Sequence, residues 1–132
     1  MTSMNIAHSL TAAAYAAVGN DKLDLRLKIS SACEDDHEEY GSDVDAIIDF
    51  IESYAPGKGI AGRALRAVCA EADRLGITLG LLAEAQYPGS EDYLEIDELI
   101  AWYERNGFVE TEEHSWMSNT MIRRPKRAAL AA

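Results

Sequence analysis

The segment that most constrains this fold is an apolar run that leads through a glycine-rich loop into a helical pattern. The run lies within residues 44–54 and reads AIIDFI, which is dense in β-branched and aromatic residues and predicts a strand. The loop, residues 56–62 (PGKGIAG), precedes a helical apolar face that ends at Gly76. That face consists of Ala61, Leu65, Val68, Ala72 and Leu75. A second strand-length run, 77–83, follows, so this order predicts two adjacent parallel strands joined by a crossover helix.

The flanking segments predict a mixed α/β sheet with helices packed on it. A helix is expected over 5–18 and an alternating strand over 23–29, followed by an acidic connection at 33–42. Beyond a turn at 87–90, Asp92 and Glu95 have capping-box-like spacing for a helix that ends near Asn106 and Gly107. Strands 108–112 and 116–123 are predicted to pair antiparallel. The expected order is α-β-β-α-β-α-β-β, in one domain over 1–125 with a short tail at 126–132.

The charge of the chain is strongly negative and concentrated in one segment. The 132 residues include 23 acidic and 12 basic side chains, for a formal net charge of −11. Nine of the acids lie between Lys28 and Lys58, with no basic residue among them. Such a surface repels phosphates, so we expect neither nucleic acid nor an anionic membrane as partner, and we expect cationic or amine-bearing ones instead. The acidic segment is either a solvated loop or the mouth of a site for a cationic substrate.

The cysteine content and the hydropathy pattern predict a cytoplasmic protein. Cys33 and Cys69 are too few for a disulfide framework and lack zinc-finger spacing, and Cys69 is expected in the core. Cys33 and His37 lie among acids without ligand spacing, so no metal site is expected. The sequence predicts neither a signal peptide nor an apolar run of the ~18 residues that a membrane helix needs.

The glycine loop itself indicates a binding site for phosphate. A strand that ends in small residues and enters a helix brings free backbone N–H groups and the positive end of the helix dipole to one point. Gly57, Gly59 and Gly62 also satisfy G-x-G-x-x-G, and Glu84 follows about 20 residues later, as in a dinucleotide-binding fold. That fold needs several successive parallel β-α units, and the sequence offers one. Topology therefore argues against a dinucleotide site.

Three segments carry a family resemblance. Residues 51–65, IESYAPGKGIAGRAL, are similar to the strand, loop and helix by which GNAT acetyltransferases bind acetyl-CoA, usually written Q/R-x-x-G-x-G/A. Residues 102–108, WYERNGF, resemble a later signature of that family, and 121–125, MIRRP, resemble a common end of its last strand. The resemblance covers 44–125 and implies an N-terminally abbreviated acyl-CoA N-acyltransferase fold. It also implies acetyl transfer from acetyl-CoA, the co-substrate, to a primary amine by direct attack in a ternary complex.

The resemblance and the chemistry of acyl transfer together suggest roles for particular residues. The expected cofactor-binding residues are Ile51, Ser53, Gly57, Lys58, Gly59, Ile60, Ala61 and Gly62. Tyr103 is suited to protonate the departing thiolate, or else it is a buried core tyrosine. Glu52 and Asp49 are candidates to take the proton of the amine, with Glu52 preferred, or else both are solvated strand residues. In a regular strand these two would face opposite sides, and only a bulge would bring both towards one cleft.

The sequence also departs from the family pattern. Pro56 stands where the family has Arg or Gln, and Ile96 where it commonly has Asn. With the short N-terminal half, these departures leave a non-catalytic interaction or structural module as the alternative function. The acceptor is expected to be a small cationic amine, a protein lysine or a protein N-terminus, and a homodimer stays open. A basic cluster is expected to form a solvated terminus, and it consists of Arg123, Arg124, Lys126 and Arg127.

Overall fold

The computed structural model describes residues 3–41, 43–54, 58–83, 96–111 and 120–126. The helices are α1 (Ser3–Val18), α2 (Glu34–Tyr40), α3 (Ile60–Leu75) and α4 (Ile96–Arg105), and a 3₁₀ helix (Gly19–Asp24) follows α1. The strands are β1 (Leu25–Ser31), β2 (Ala46–Ser53), β3 (Leu79–Leu82), β4 (Val109–Glu110) and β5 (Thr120–Arg123). Within these ranges, no helix combines the length and the apolar character that a membrane span requires.

The strands form one mixed sheet in the order β1-β2-β3-β5-β4. β2 and β3 run parallel, and α3 is the helix that connects them. The other neighbouring strands are antiparallel. The predicted parallel pair, the predicted C-terminal antiparallel pair and the predicted α/β class are therefore confirmed. The capping-box positions Asp92 and Glu95 lie outside the described residues.

The larger hydrophobic core includes residues of α1, α3 and one face of the sheet. β1 contributes Leu25 and Ile29 to this core, and β2 contributes Ile48 and Ile51. The buried residues of α3 are Ile60, Ala64, Leu65, Val68, Cys69 and Ala72. Because side chains alternate along a strand, Ile47 lies on the opposite face, in a smaller cluster with residues of and next to α2. The amphipathic face predicted for α3 is thus largely confirmed, and so is its end at Gly76, where φ is +71°.

The acidic segment is not the plain connection that the sequence predicted. It contains α2, which begins after Cys33, and the Asp36 carboxylate accepts hydrogen bonds from the Cys33 backbone N–H at 2.9 Å and from its thiol at 3.3 Å. Three acids in the first turn interact favourably with the positive end of the helix dipole. The prediction was wrong because clustered acids were taken as a loop signal, although at a helix N-terminus they stabilise the helix. The first strand also begins later than predicted, since Leu23 lies in the 3₁₀ helix and is 85% exposed.

The basic cluster near the C-terminus is not uniformly solvated. Arg123 is buried in β5, and its guanidinium donates two hydrogen bonds to the Asp73 carboxylate of α3, at 2.8 and 3.0 Å. Its Nε donates a third, at 2.7 Å, to the carbonyl oxygen of Asn106 at the end of α4. Asp73 also accepts the backbone N–H of Lys126 at 2.7 Å. Arg123 was therefore predicted wrongly, because an ion-pair partner 50 residues away leaves no local sequence signal.

Replacing Asp73 should show how much this ion pair contributes to the free energy of unfolding. The hydrogen bonds from Arg123 hold the pKa of the Asp73 carboxyl below its ordinary value. We therefore expect Asp73→Asn to lower the free energy of unfolding by about 2–3 kcal/mol at pH 7, somewhat less than for a fully buried pair because Asp73 is 27% exposed. A lowered carboxyl pKa stabilises the fold above the unfolded pKa of ~3.9, and that stability is lost as the pH falls through the folded pKa. Urea denaturation should show the difference shrinking at pH 3.

The matched control for this prediction is Asp43→Asn. Asp43 pairs with Arg124 at 3.0 Å in an exposed setting, so its loss should cost no more than about 0.5 kcal/mol. An Asp73→Asn effect of the same size at pH 7 and pH 3 would contradict the assigned role of the carboxylate.

Candidate functional site

A β-bulge interrupts β2 at Asp49. Lys28 lies opposite Phe50 and Ile29 lies opposite Ile48, so Asp49 is an extra residue between two consecutive pairs. A bulge changes which face the following residues occupy. The condition that the sequence analysis set for bringing Asp49 and Glu52 to one side of the sheet is therefore met.

Hydrogen bonds to β1 show which face the two carboxylates share. Asp49 Oδ2 accepts from the hydroxyl of Ser30 at 2.5 Å, and Glu52 Oε1 lies 2.5 Å from Nη1 of Arg26. Ser30 and Arg26 are four residues apart in a strand that has no extra residue, so both project from the same face. This is the face away from the larger core, because Leu25 and Ile29 of the same strand lie in that core. Asp49, Phe50 and Glu52 together define the carboxylate face of β2.

The guanidinium of Arg26 also covers the aromatic ring of Phe50. Its Cζ lies 3.8 Å from the ring centroid, within the range of a cation–π contact. Arg26 thus contacts a carboxylate and an aromatic face at once, and its side chain is 33% exposed. The sequence analysis placed Arg26 on an alternating strand but did not single it out, because only the register of β1 with β2 sets it opposite Glu52.

The parallel pairing of β2 with β3 ends at the bulge. Their parallel pairing consists of three residue pairs and ends at Ile48 and Leu81, although β2 continues to Ser53 and Leu82 pairs on with β5. The Tyr54 N–H donates to the Asp24 carbonyl oxygen at 2.7 Å, which fixes the alternation of hydrogen bonding between β1 and β2. In that alternation the peptide groups of Ile51 and Ser53 point away from β1, towards the β3 side of the strand. These are the two β2 residues predicted to bind the cofactor.

The N-terminus of α3 follows at the end of β2. Gly59 is the N-cap, with a left-handed φ of +72°, and its carbonyl oxygen accepts the Arg63 N–H at 3.0 Å. The N–H groups of Ile60, Ala61 and Gly62 precede that first intrahelical bond and have no partner inside the helix. The side chain of Ile60 is buried, so its expected contribution is its backbone. Gly57, the remaining predicted loop residue, lies outside the described residues, as do Pro56 and Glu84.

The charge around this helix end is opposite to that of the whole chain. Residues 53–70 contain three basic side chains and no acidic one, in a protein with a net charge of −11. Lys58 is exposed beside Gly59, and Arg66 reaches back along the helix, since its Nη1 lies 3.4 Å from the position that a Cβ on Gly62 would take. Arg63 is paired with the carboxylate of Asp21 at 2.8 Å, so the positive potential at this end comes from the helix dipole, Lys58 and Arg66.

Tyr103 is buried in the core, as one of the two interpretations from the sequence predicted, and its catalytic role stays a prediction. It is 7% exposed in the larger core, with its ring 5.6 Å from that of Phe108 and 5.0 Å from that of Trp102. Burial, and secondly the negative charge of Glu52, raise the pKa of the Tyr103 hydroxyl far above its ordinary value. The hydroxyl and the Glu52 carboxylate are therefore close enough to interact electrostatically, although they belong to α4 and β2.

The other titratable residues in the described ranges have mainly structural contacts. In the described part of the chain, no group of three or more His, Cys, Asp or Glu is placed to hold a metal ion. His37 contacts the carbonyl oxygen of Val44 through Nε2 at 3.1 Å, and Cys33 caps α2. Cys69 lies in the core, as predicted, and burial raises the pKa of its thiol to about 11.

Comparison with known proteins gives one structural likeness. No family model matches the chain, and no curated protein matches it. A crystal structure of the anti-CRISPR protein AcrVA5 is similar over 73% of this chain and 87% of its own, with 20% sequence identity and a TM-score of 0.44.

The two cysteines should differ sharply in reactivity. Cys33 is exposed and Cys69 is buried with a raised thiol pKa, so a water-soluble disulfide reagent at pH 7.5 should modify one thiol in the native chain and two in urea. In Cys33→Ser, native labelling should be at least about 100-fold slower than for an ordinary thiol, because the thiolate fraction falls with the raised pKa and the sulfur is shielded. Rapid native labelling of that variant would contradict the placement of Cys69.

Proposed function

We propose that this chain is an acyl-CoA N-acyltransferase of the GNAT type, which transfers an acetyl group from acetyl-CoA to a primary amine. The observation that supports this most strongly is that the pairing of β2 with β3 ends at Ile48, before β2 itself ends and leads on to the N-terminus of α3. Backbone amides on the β3 side of β2 and backbone amides at the helix end therefore follow one another along the chain. An elongated ligand with amides in its middle and a diphosphate at one end matches that arrangement.

The helix end is suited to the diphosphate. Three N–H groups without intrahelical partners, the positive dipole and Lys58 all favour an anion there. Local positive charge is needed, since the chain as a whole repels a polyphosphate. The family pattern has Arg or Gln at position 56, which is proline in this chain. Arg66 of α3 supplies a cation instead. The peptide group of Ile51 points to the β3 side of β2 and would pair with the pantetheine arm or with the oxyanion.

The amine must lose a proton before it attacks the thioester. A free alkylamine with a pKa of ~10.4 is almost wholly protonated at pH 7, so a nearby carboxylate has to accept the proton. Glu52 fits this role best, because its charge reaches Tyr103 while Asp49 is exposed and bonded to Ser30. In this proposal the amine nitrogen forms the new bond to the acyl carbon and gives up its second proton as the amide forms, and this proton replaces the one that the thiolate takes when the carbon–sulfur bond breaks.

Tyr103 is the proposed donor of that last proton. Its raised pKa keeps the hydroxyl protonated in the resting protein, so the proton is available, but the hydroxyl is then a weaker acid than an ordinary tyrosine. The two steps assist each other, since a proton accepted by Glu52 removes the charge that contributes to the raised pKa. Protonation of the base thus makes Tyr103 a better acid when the thiolate forms.

A non-catalytic module of the same fold is the second candidate. One observation favours it: Arg26 already engages Glu52, as expected of a structural ion pair rather than a free base. The two candidates differ first in whether acetyl-CoA binds.

Acetyl-CoA should stabilise the chain against heat. At about 100 times its dissociation constant it should add ~2.7 kcal/mol, seen as a rise in Tm. Gly62→Ala should keep or increase the stability of the free chain, because alanine favours a helix by roughly 0.5–1 kcal/mol, yet weaken binding at least about tenfold by placing a methyl group at the anion site. Lys58→Gln should also weaken binding, with Lys22→Gln as the control at an exposed lysine elsewhere. An unchanged Tm at millimolar acetyl-CoA would favour the non-catalytic module.

Tyr103→Phe should separate chemistry from binding. Loss of a general acid typically lowers the rate by about 10² or more, so release of free CoA in the presence of an amine panel should fall by that factor. The affinity for acetyl-CoA should stay within about twofold, because the ring remains in its place in the core. Tyr15→Phe, another partly buried tyrosine packed on the same core, is the matched control. Unchanged turnover in Tyr103→Phe would remove the proton-donor role.

A further inference from the structure

We propose that Phe50 and Glu52 form a binding site for a protonated alkylamine, and that Arg26 occupies this site in the resting protein. The identification of that amine as the acceptor rests on the proposed function. The site itself can be tested without acetyl-CoA.

The contacts of Arg26 are those that an external cation would make. Its Nη1 lies 2.5 Å from a carboxylate oxygen of Glu52, and its Cζ lies 3.8 Å above the ring of Phe50. A carboxylate beside an aromatic face is a common way to recognise ammonium and guanidinium groups. The guanidinium therefore marks where a positive charge is stabilised on the carboxylate face.

The contact of Arg26 with Glu52 is partly exposed to water. The Arg26 and Glu52 side chains are 33% and 18% exposed, so the pair is in contact with water on the Arg26 side. Partly exposed ion pairs contribute little to stability, because each partner can be solvated when they separate. A displaced Arg26 would remain at the edge of the sheet, since β1 is the edge strand.

The location of the site connects it to the chemistry proposed above. Glu52 lies on the part of β2 beyond its last residue pair with β3. Its negative charge contributes, after burial, to the raised pKa of the Tyr103 hydroxyl. Asp49 adds a second carboxylate on the same face, which raises the local concentration of cations. An alkylamine that replaces Arg26 would bring its nitrogen to the carboxylate that we propose as proton acceptor. Arg26 is then a competitor of the acceptor for one carboxylate.

The test is a titration of the full chain with n-butylammonium, followed by amide nitrogen–proton NMR without acetyl-CoA. An internal competitor lowers apparent affinity by the fraction of time that the site is open, so Arg26→Gln should bind the probe about two- to fivefold more tightly than the wild type, as expected for a partly exposed ion pair. The gain in affinity should disappear in the double variant that carries both Arg26→Gln and Glu52→Gln. The uncharged analogue n-butanol should cause no comparable shifts of the amide resonances. Arg124→Gln is the control, because it frees the carboxylate of Asp43 without an aromatic ring.

Two outcomes would overturn the proposal. One is equal affinity in the wild type and in Arg26→Gln, and the other is unchanged affinity after the added Glu52→Gln substitution. If Arg26→Gln does not fold, the titration of the wild type provides the test instead. Saturating n-butylammonium should move the Arg26 Nε–H resonance towards that of a solvated arginine, and an unmoved resonance would refute the site.

The result is separable from the cofactor experiment. A positive amine titration with no binding of acetyl-CoA would leave the cation site and remove the proposed enzyme. If acetyl-CoA binds but the amine titration is negative, the proposed function stands and the amine site is refuted.

Discussion

The bulge at Asp49 is the feature on which the candidate site depends. Before the bulge, Ile48 pairs with β3, whereas beyond it Ile51 and Ser53 direct their peptide groups to the β3 side of the strand, past the last β2–β3 pair. The extra residue puts Asp49 on the face that carries Glu52. A regular β2 would send these carboxylates to opposite faces. One inserted residue therefore creates the carboxylate face, just beyond the end of the β2–β3 pairing.

The C-terminal end of α3 is fixed by an ion pair. Asp73, near the C-terminus of α3, binds Arg123 of β5, and Arg123 in turn binds the carbonyl of Asn106 at the end of α4. Gly107 adopts a φ of +96°, and a Cβ there would lie 3.0 Å from Nε of Arg123, so glycine is needed for this contact. Because Tyr103 lies one turn before Asn106, the ion pair also holds the part of α4 that positions Tyr103.

Local sequence patterns predicted the elements of this fold better than the contacts between them. The helical spacing around Leu65 and Val68 and the strand–helix–strand order gave α3 and the parallel pair, because both depend on nearby residues. The bulge and the Arg26–Glu52 pair depend on the register of two strands, which hydrophobic alternation does not determine. Arg123 was misplaced for a similar reason, since its burial depends on Asp73. α2 was missed because its capping residue is a cysteine, which is not among the usual N-cap residues.

The uneven distribution of charge suits the two substrates of the proposed reaction. An acyl-CoA carries several negative charges and a protonated amine carries a positive one, so one uniform surface potential would repel one of them. This chain separates the two fields along β2 and the loop after it: the stretch 53–70 has basic side chains only, and the carboxylate face precedes it directly. Exposed charges are screened beyond about 8 Å at physiological salt, so each of these two charged regions acts only on a ligand group that is close to it. In the proposed reaction each ligand would be attracted to its own side of the strand end, and the reacting groups would meet where the two regions join.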